Sequence, residues 1–299
     1  MKKKSIMRKE WPGLMLIAPA YLLLGFTILY PTLQALWMSF HRIILTRPAL
    51  GRPFIGLENY RDVVTSPHFF HSIRISVIWT GTNLGVQIVL GTLVALLIHQ
   101  EFRGRSLVRG VSLIPWITPS VVAYLTWKWM YDGQFGIINS ILLQLGVIER
   151  SIVWLGNMNT AMGAVIFASI WKGTPFVVLM VLASLQSIPE DLYDAAKVDG
   201  AGMFDRFRHV TLPQILPTVI IAATLTTIFT FNNFNAIWLL TTGGPLRATE
   251  VLTIYVYRQA FHSFNLGTAT AAGIIIFIIL YMFVMIFGRY YIKAQARKS

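Results

Sequence analysis

Few residues in this chain of 299 could do chemistry, and they point to recognition more than to catalysis. There is no cysteine, which excludes thiol nucleophiles, disulfides and thiolate metal sites. His41, His68, His71, His99, His209 and His262 are scattered at segment ends and in loops, so no metal cluster is expected. Paired aspartates, Gly-x-Ser-x-Gly with a histidine, and HExxH are all absent, which argues against an enzyme. No GxxxxGK[ST] phosphate loop occurs, so the chain cannot hydrolyse ATP by that route. What remains is a run of uncharged polar residues, Thr226, Thr227, Thr230, Asn232, Asn233 and Asn235, interleaved with Phe229, Phe231, Phe234 and Trp238. Amides and hydroxyls can hydrogen-bond sugar hydroxyls, and flat aromatic faces suit the C–H surfaces. Asn232 and Asn235 lie on different helical faces from Asn233, and hydrogen bonding between helices would account for them equally well.

Lys172 is the other candidate, a lone cation joining the apolar runs 151–171 and 173–189. It could contact an anionic sugar such as a uronate or a sugar phosphate. Alternatively it snorkels or pairs with a neighbouring subunit. Lys128, between Trp127 and Trp129, fits snorkelling into an aromatic belt.

The elements that must position these groups are membrane spans. The chain is 55% hydrophobic and 12% charged, against roughly 25% charged in globular proteins. The uncharged blocks 11–41, 75–100, 110–127, 151–171, 173–189, 214–246 and 259–288 mostly reach the 20 or so residues a bilayer helix needs. The expected fold is an all-α bundle of six transmembrane helices, at about 13–40, 71–98, 107–130, 160–185, 215–240 and 267–290. Residues 1–12 and 291–299 are the tails, and 13–290 the six-helix membrane domain. The first run is too long for a cleaved signal peptide and reads as a retained anchor. Gly81 and Gly85, spaced as GxxxG, suit helix packing.

The net charge of +13 does not imply nucleic acid, because the basic residues cluster at segment ends. Lys2, Lys3, Lys4, Arg8 and Lys9 fall on one expected side. They are joined by Arg103, Arg105, Arg109, Lys197, Arg206, Arg208, Arg289, Lys293, Arg297 and Lys298. That excess places both termini and the 186–213 loop in the cytoplasm. A secondary transporter or channel would be expected to show intramembrane carboxylates or an inverted repeat, and the sequence shows neither.

That loop is the longest strongly charged stretch of the chain. Pro189 suits a first helical turn, Glu190 and Asp191 complement the helix dipole, and Gly200 suits a helix stop. A second short helix is expected from about Met203 to His209, with Pro213 breaking the chain before the fifth span.

The loop resembles the EAA loop of binding-protein-dependent ABC importer permeases. Asp194-Ala195-Ala196, Gly200, Val210 and Leu212-Pro213 keep every spacing of Glu-Ala-Ala, Gly, Ile and Leu-Pro. Asp194 replaces Glu and Val210 replaces Ile. Leu113-Ile-Pro-Trp-Ile-Thr-Pro119, Trp171-Lys-Gly-Thr-Pro-Phe176 and Thr242-Gly-Gly-Pro245 are similar to the carbohydrate branch, the maltose-type permeases. The chain lacks the extra N-terminal helices and large external domain of the maltose permease, so maltose specificity is not implied.

The resemblance implies a type I ABC importer fold and several partners. These are a second six-span permease subunit, often non-identical, and two copies of a cytoplasmic ATPase that bind ATP and Mg. An extracytoplasmic sugar-binding protein and surrounding lipid complete the set. The EAA coupling loop, about 187–213, would take the ATPase stroke through Asp194, Ala195, Ala196, Gly200, Val210, Leu212 and Pro213. The resemblance also places Thr226, Phe229, Thr230 and Asn233 at sugar-contacting positions, with Lys172, Gly173 and Phe176 in the fourth span.

Overall fold

The computed structural model describes residues 15–296, with side chains through Ile292. The expected tail cations Lys2, Lys3, Lys4, Arg8, Lys9, Arg297 and Lys298 lie outside the described residues. Apart from two isolated bridges, His41 with Phe54 and Ile44 with Asn265, the described residues form no strand pairing. The helices are α1 (Met15–Ser39), α2 (Glu58–Thr65), α3 (Pro67–His99), α4 (Arg105–Ile117), α5 (Ser120–Met130) and α6 (Ile137–Gln144). They continue with α7 (Ala161–Gln186), α8 (Glu190–Val198), α9 (Met203–Phe231), α10 (Phe234–Thr241), α11 (Leu252–Phe261) and α12 (Leu266–Ala296). Among the described residues, α1, α3, α7, α9 and α12 are long and apolar enough to cross a membrane.

The expected third span, 107–130, is not one straight helix. α4 and α5 meet at an angle of 93°. Thr118 precedes Pro119, whose ring disfavours the helical region for its neighbour, and Thr118 is extended at ψ 129°. The bent pair counts as a sixth crossing only if taken as one span.

The fifth span differs from expectation at both ends. Pro213 does not break the chain, because Met203 to Phe231 is continuous. Residues Phe207–Thr211 form a π turn in which the Leu212 N–H reaches back to the Phe207 carbonyl. The wider turn lets the helix absorb a residue that has no N–H to offer. The same device recurs in α1, where the π turn Gly25–Leu29 precedes Pro31. At the other end the helix stops at Phe231 instead of running to 240. Asn233 then caps α10, its side chain accepting from Ala236 N–H at 3.1 Å.

The described residues fall into two compact units. One holds the chain up to Ser66 together with Val256–Phe277. In it, buried Asn59 donates to the carbonyls of Ser39 and His41, at 2.8 and 2.9 Å. Gly267 passes so close to the His41 carbonyl that a Cβ there would lie 2.4 Å from it.

The second unit, Pro67–Tyr255 with the chain from Ile278, carries the candidate site. Its centre is α3 packed on α7, with α9 against both. The inward face of α3 is a polar ladder, Ser72, Ser76, Thr80, Asn83 and Gln87, which gives way to Gly91 and Ala95. Val77, Ile78, Val89, Leu90, Leu93 and Leu97 point outward and exposed. This inverted arrangement suits lipid, where polar groups gain by facing protein. Gly91 lets α3 approach Val177, which a Cβ would meet at 2.6 Å. Gly81 and Gly85 face open space, so the GxxxG pair makes no close approach within the chain.

Candidate functional site

The break between α9 and α10 and the break between α4 and α5 both border one cavity of about 450 Å³. All seven residues singled out for solute contact, Thr226, Phe229, Thr230, Asn233, Lys172, Gly173 and Phe176, line it. Gln87, Trp116, Ser120, Tyr124, Ser169, Ile228 and Asn232 complete the wall. Asn232 was already part of the polar run of the fifth span; reading one segment at a time missed the other six, because no local motif marks them. The one available signal was the spacing of Ser76, Asn83 and Gln87 along a single face of α3.

The aromatic part of the wall is a chain of three rings. Phe176 meets Phe229 with ring centroids 5.6 Å apart and an interplanar angle of 74°, and Trp116 lies 6.2 Å from Phe176. The polar part is held in place by the fold. Trp79 donates from Nε1 to the Thr230 carbonyl at 2.9 Å, fixing the last turn of α9. Asn233 donates from Nδ2 to Tyr124 Oη at 2.9 Å while its carbonyl oxygen caps α10. Gln87 donates to Asn83 at 3.1 Å. The amide of Gln87 occupies the space a side chain at Gly173 would need, its Oε1 lying 2.5 Å from a Cβ built there. Thr226 is buried, and its Oγ1 has no hydrogen-bond partner among the described residues. An unmatched buried hydroxyl beside a cavity is the arrangement a solute hydroxyl would complete.

Lys172 lines the same wall, but its ammonium is engaged elsewhere. Nζ donates to the carbonyls of Thr118, at 2.7 Å, and Pro115, at 3.3 Å. In an unbroken helix the Pro115 carbonyl would accept from residue 119, which is proline and has no N–H. Lys172 supplies that missing donor, and a cation also suits the negative end of the α4 dipole. Within the chain the Lys172 ammonium does not stand free in the cavity.

The second group of expected residues forms the 187–213 loop, where α8 begins after Pro189 as anticipated. Ala201 N–H bonds to Ala196 O at 2.9 Å and Gly200 N–H to Lys197 O at 3.0 Å, closing a Schellman motif. Gly200 takes φ +79°, a conformation that favours glycine, and faces open space. Asp194 is exposed and paired with Lys197 at 2.8 Å. Ala195 is exposed and Ala196 half-buried, while Val198, Met203 and Phe204 present apolar surface outward. Val210, half-buried, lies in the π turn, and exposed Leu212 and Pro213 follow it. Tyr193 and Thr211, not anticipated as functional, tie the loop to the span through a 3.0 Å bond between their hydroxyls.

The family described as "Binding-protein-dependent transport system inner membrane component" matches residues 87–297. The chain belongs to this family. The permease is accordingly a multi-pass membrane transport subunit and not an enzyme, which sets aside the secondary transporter and channel alternatives. It is 36% identical over 278 residues to the trehalose/maltose transport system permease protein MalF of Thermococcus litoralis, covering 92% of each chain. It is 33% identical over 288 residues to the trehalose transport system permease protein SugA of Mycobacterium tuberculosis, covering 95% of this chain and 91% of the relative. Its fold matches a chain of a bacterial ABC transporter involved in the import of the acidic polysaccharide alginate. The TM-score is 0.85 at 21% identity, covering 98% of this chain and 99% of the other.

Proposed function

We propose that the permease forms part of the pathway by which a mono- or oligosaccharide, or a derivative of one, crosses the cytoplasmic (inner) membrane of a bacterium. The observation that carries this reading is the cavity of about 450 Å³, where uncharged hydrogen-bonding groups meet aromatic faces and the Thr226 hydroxyl waits for a partner. The trehalose and maltose named for the relatives support the same solute class. The one charged side chain lining the cavity, Lys172, is held by two backbone carbonyls, which favours a neutral solute.

In this reading both termini and α8 are cytoplasmic. Two copies of a separate ATPase bind ATP and Mg, and one docks on Asp194, Ala195, Ala196 and Gly200. A second, non-identical six-span permease completes the pathway, and an extracytoplasmic binding protein delivers the sugar. The stroke passes from α8 through the Tyr193–Thr211 bond into the π turn of α9. From Thr211 to Thr226 is 15 residues, or about 22 Å of helix at 1.5 Å per residue. One helix therefore joins the docking loop to the cavity wall, which is the physical continuity a lever needs.

The test is sugar uptake by the reconstituted complex with Asn233→Leu. Weakened uptake with the ATPase still bound supports the reading, and unchanged uptake affinity moves the pathway elsewhere.

A further inference from the structure

At the end of the second unit that carries α8, three basic side chains converge where α3 ends and α4 begins. His99 is the last residue of α3, Arg105 the first of α4, and Arg109 follows one turn later on the same face. Both guanidinium groups lie close enough to act electrostatically on His99. None of the three has a carboxylate partner among the described residues, and Glu101 pairs with none of them. Four of their nitrogens are withdrawn from solvent without any hydrogen-bond partner: His99 Nδ1, Arg105 Nε, and Arg109 Nε and Nη2. Like charges at i and i+4 repel, and the three withdrawn guanidinium nitrogens, left unmatched, are costly. The fold has built a positive site and left out its anion.

The surroundings indicate the anion's chemistry. Arg109 borders a cavity of about 250 Å³ whose wall is otherwise mainly apolar, from Ile98, Leu113, Val178 and Leu182. Leu107, Val108 and Val111, interleaved with the arginines on α4, are exposed and apolar. Basic groups at the start of an apolar helix belong at the level of lipid headgroups. Two guanidinium forks match the several oxygens of a phosphate, and the adjoining apolar cavity suits an acyl chain.

We propose that Arg105 and Arg109, with His99, bind the phosphate of an anionic phospholipid. This rests on the chain spanning a membrane and not on the identity of the transported solute. The test is native mass spectrometry of the intact importer complex in detergent, supplied with phosphatidylglycerol, phosphatidylcholine or inorganic phosphate. One phosphatidylglycerol is retained per copy of this chain, at least about tenfold over phosphatidylcholine, whose phosphate is the same but whose choline ammonium the two guanidinium groups repel. The R105Q/R109Q pair loses that lipid, and R105K/R109K keeps part of it. Equal retention of both lipids overturns the proposal, as does undiminished retention by R105Q/R109Q. Inorganic phosphate held as firmly as phosphatidylglycerol makes the site one for soluble anions and overturns it too. Should R105Q/R109Q not assemble, the wild-type lipid comparison and the lysine pair decide. Lipid retention is counted without transport, so a failure of the sugar reading leaves the result intact.

Discussion

Lys172 of α7 donates from Nζ to the carbonyl oxygen of Thr118 at 2.7 Å, across the corner where α4 turns into α5. A cation in an apolar span thus serves a backbone defect created by Pro119. Replacing it with methionine leaves the Thr118 and Pro115 carbonyls unmatched. Lys172→Met is expected to cost about 1–3 kcal/mol of stability, the penalty of orphaned buried polar groups. Thermal unfolding of the complex checks the stability loss. Uptake of neutral and acidic sugars should fall together, whereas a selective loss of acidic sugars would return Lys172 to the solute.

Gly173 and Gln87 share one space on the cavity wall. Gly173→Ala drives a methyl into the Gln87 amide and should reduce uptake severalfold. Adding Gln87→Ala vacates the space, so the double variant should recover part of the loss. A double-mutant cycle on uptake rates measures this, and strict additivity would show that the two residues do not meet.

Gly200 holds the αL position that closes α8. A valine there is strained by about 1–2 kcal/mol and projects into the open surface offered to the ATPase. Gly200→Val should leave the permease in the membrane while separating ATP hydrolysis from transport. The ratio of sugar moved to ATP hydrolysed is the readout, and full coupling in the variant would sink the lever.

The bond between Tyr193 and Thr211 ties α8 to the span beyond the loop that joins them. Tyr193→Phe removes it at a stability cost of about 1 kcal/mol. Assembly should survive and transport turnover should fall, as measured in proteoliposomes.

The apolar blocks gave α3 and α7 to within four residues because a bilayer demands long uncharged helices. The stop at Gly200 was equally legible, since few other residues tolerate its φ. The corner at Thr118–Pro119 was hidden because Pro115 and Pro119 read alike: one sits inside α4 and the other ends it, and only Lys172, 53 residues beyond Pro119, makes the difference affordable. Pro213 misled for the opposite reason, because a π turn absorbed it. Gln87, Tyr124 and Ser169, wall residues from other segments, were invisible because helix rotation, which local sequence does not state, decides which polar groups converge.

The most direct test of the central claim is Thr226→Val. The Thr226 hydroxyl is buried against the cavity and bonds to nothing among the described residues, so a near-isosteric valine removes no internal hydrogen bond. The complex should be as stable as the original or slightly more so. Uptake in proteoliposomes of the sugar carried by the associated binding protein should nevertheless fall, by about tenfold if one solute hydrogen bond is lost. Unaltered uptake in a stable Thr226→Val complex would contradict the account, because the hydroxyl best placed to greet the sugar would then never meet it.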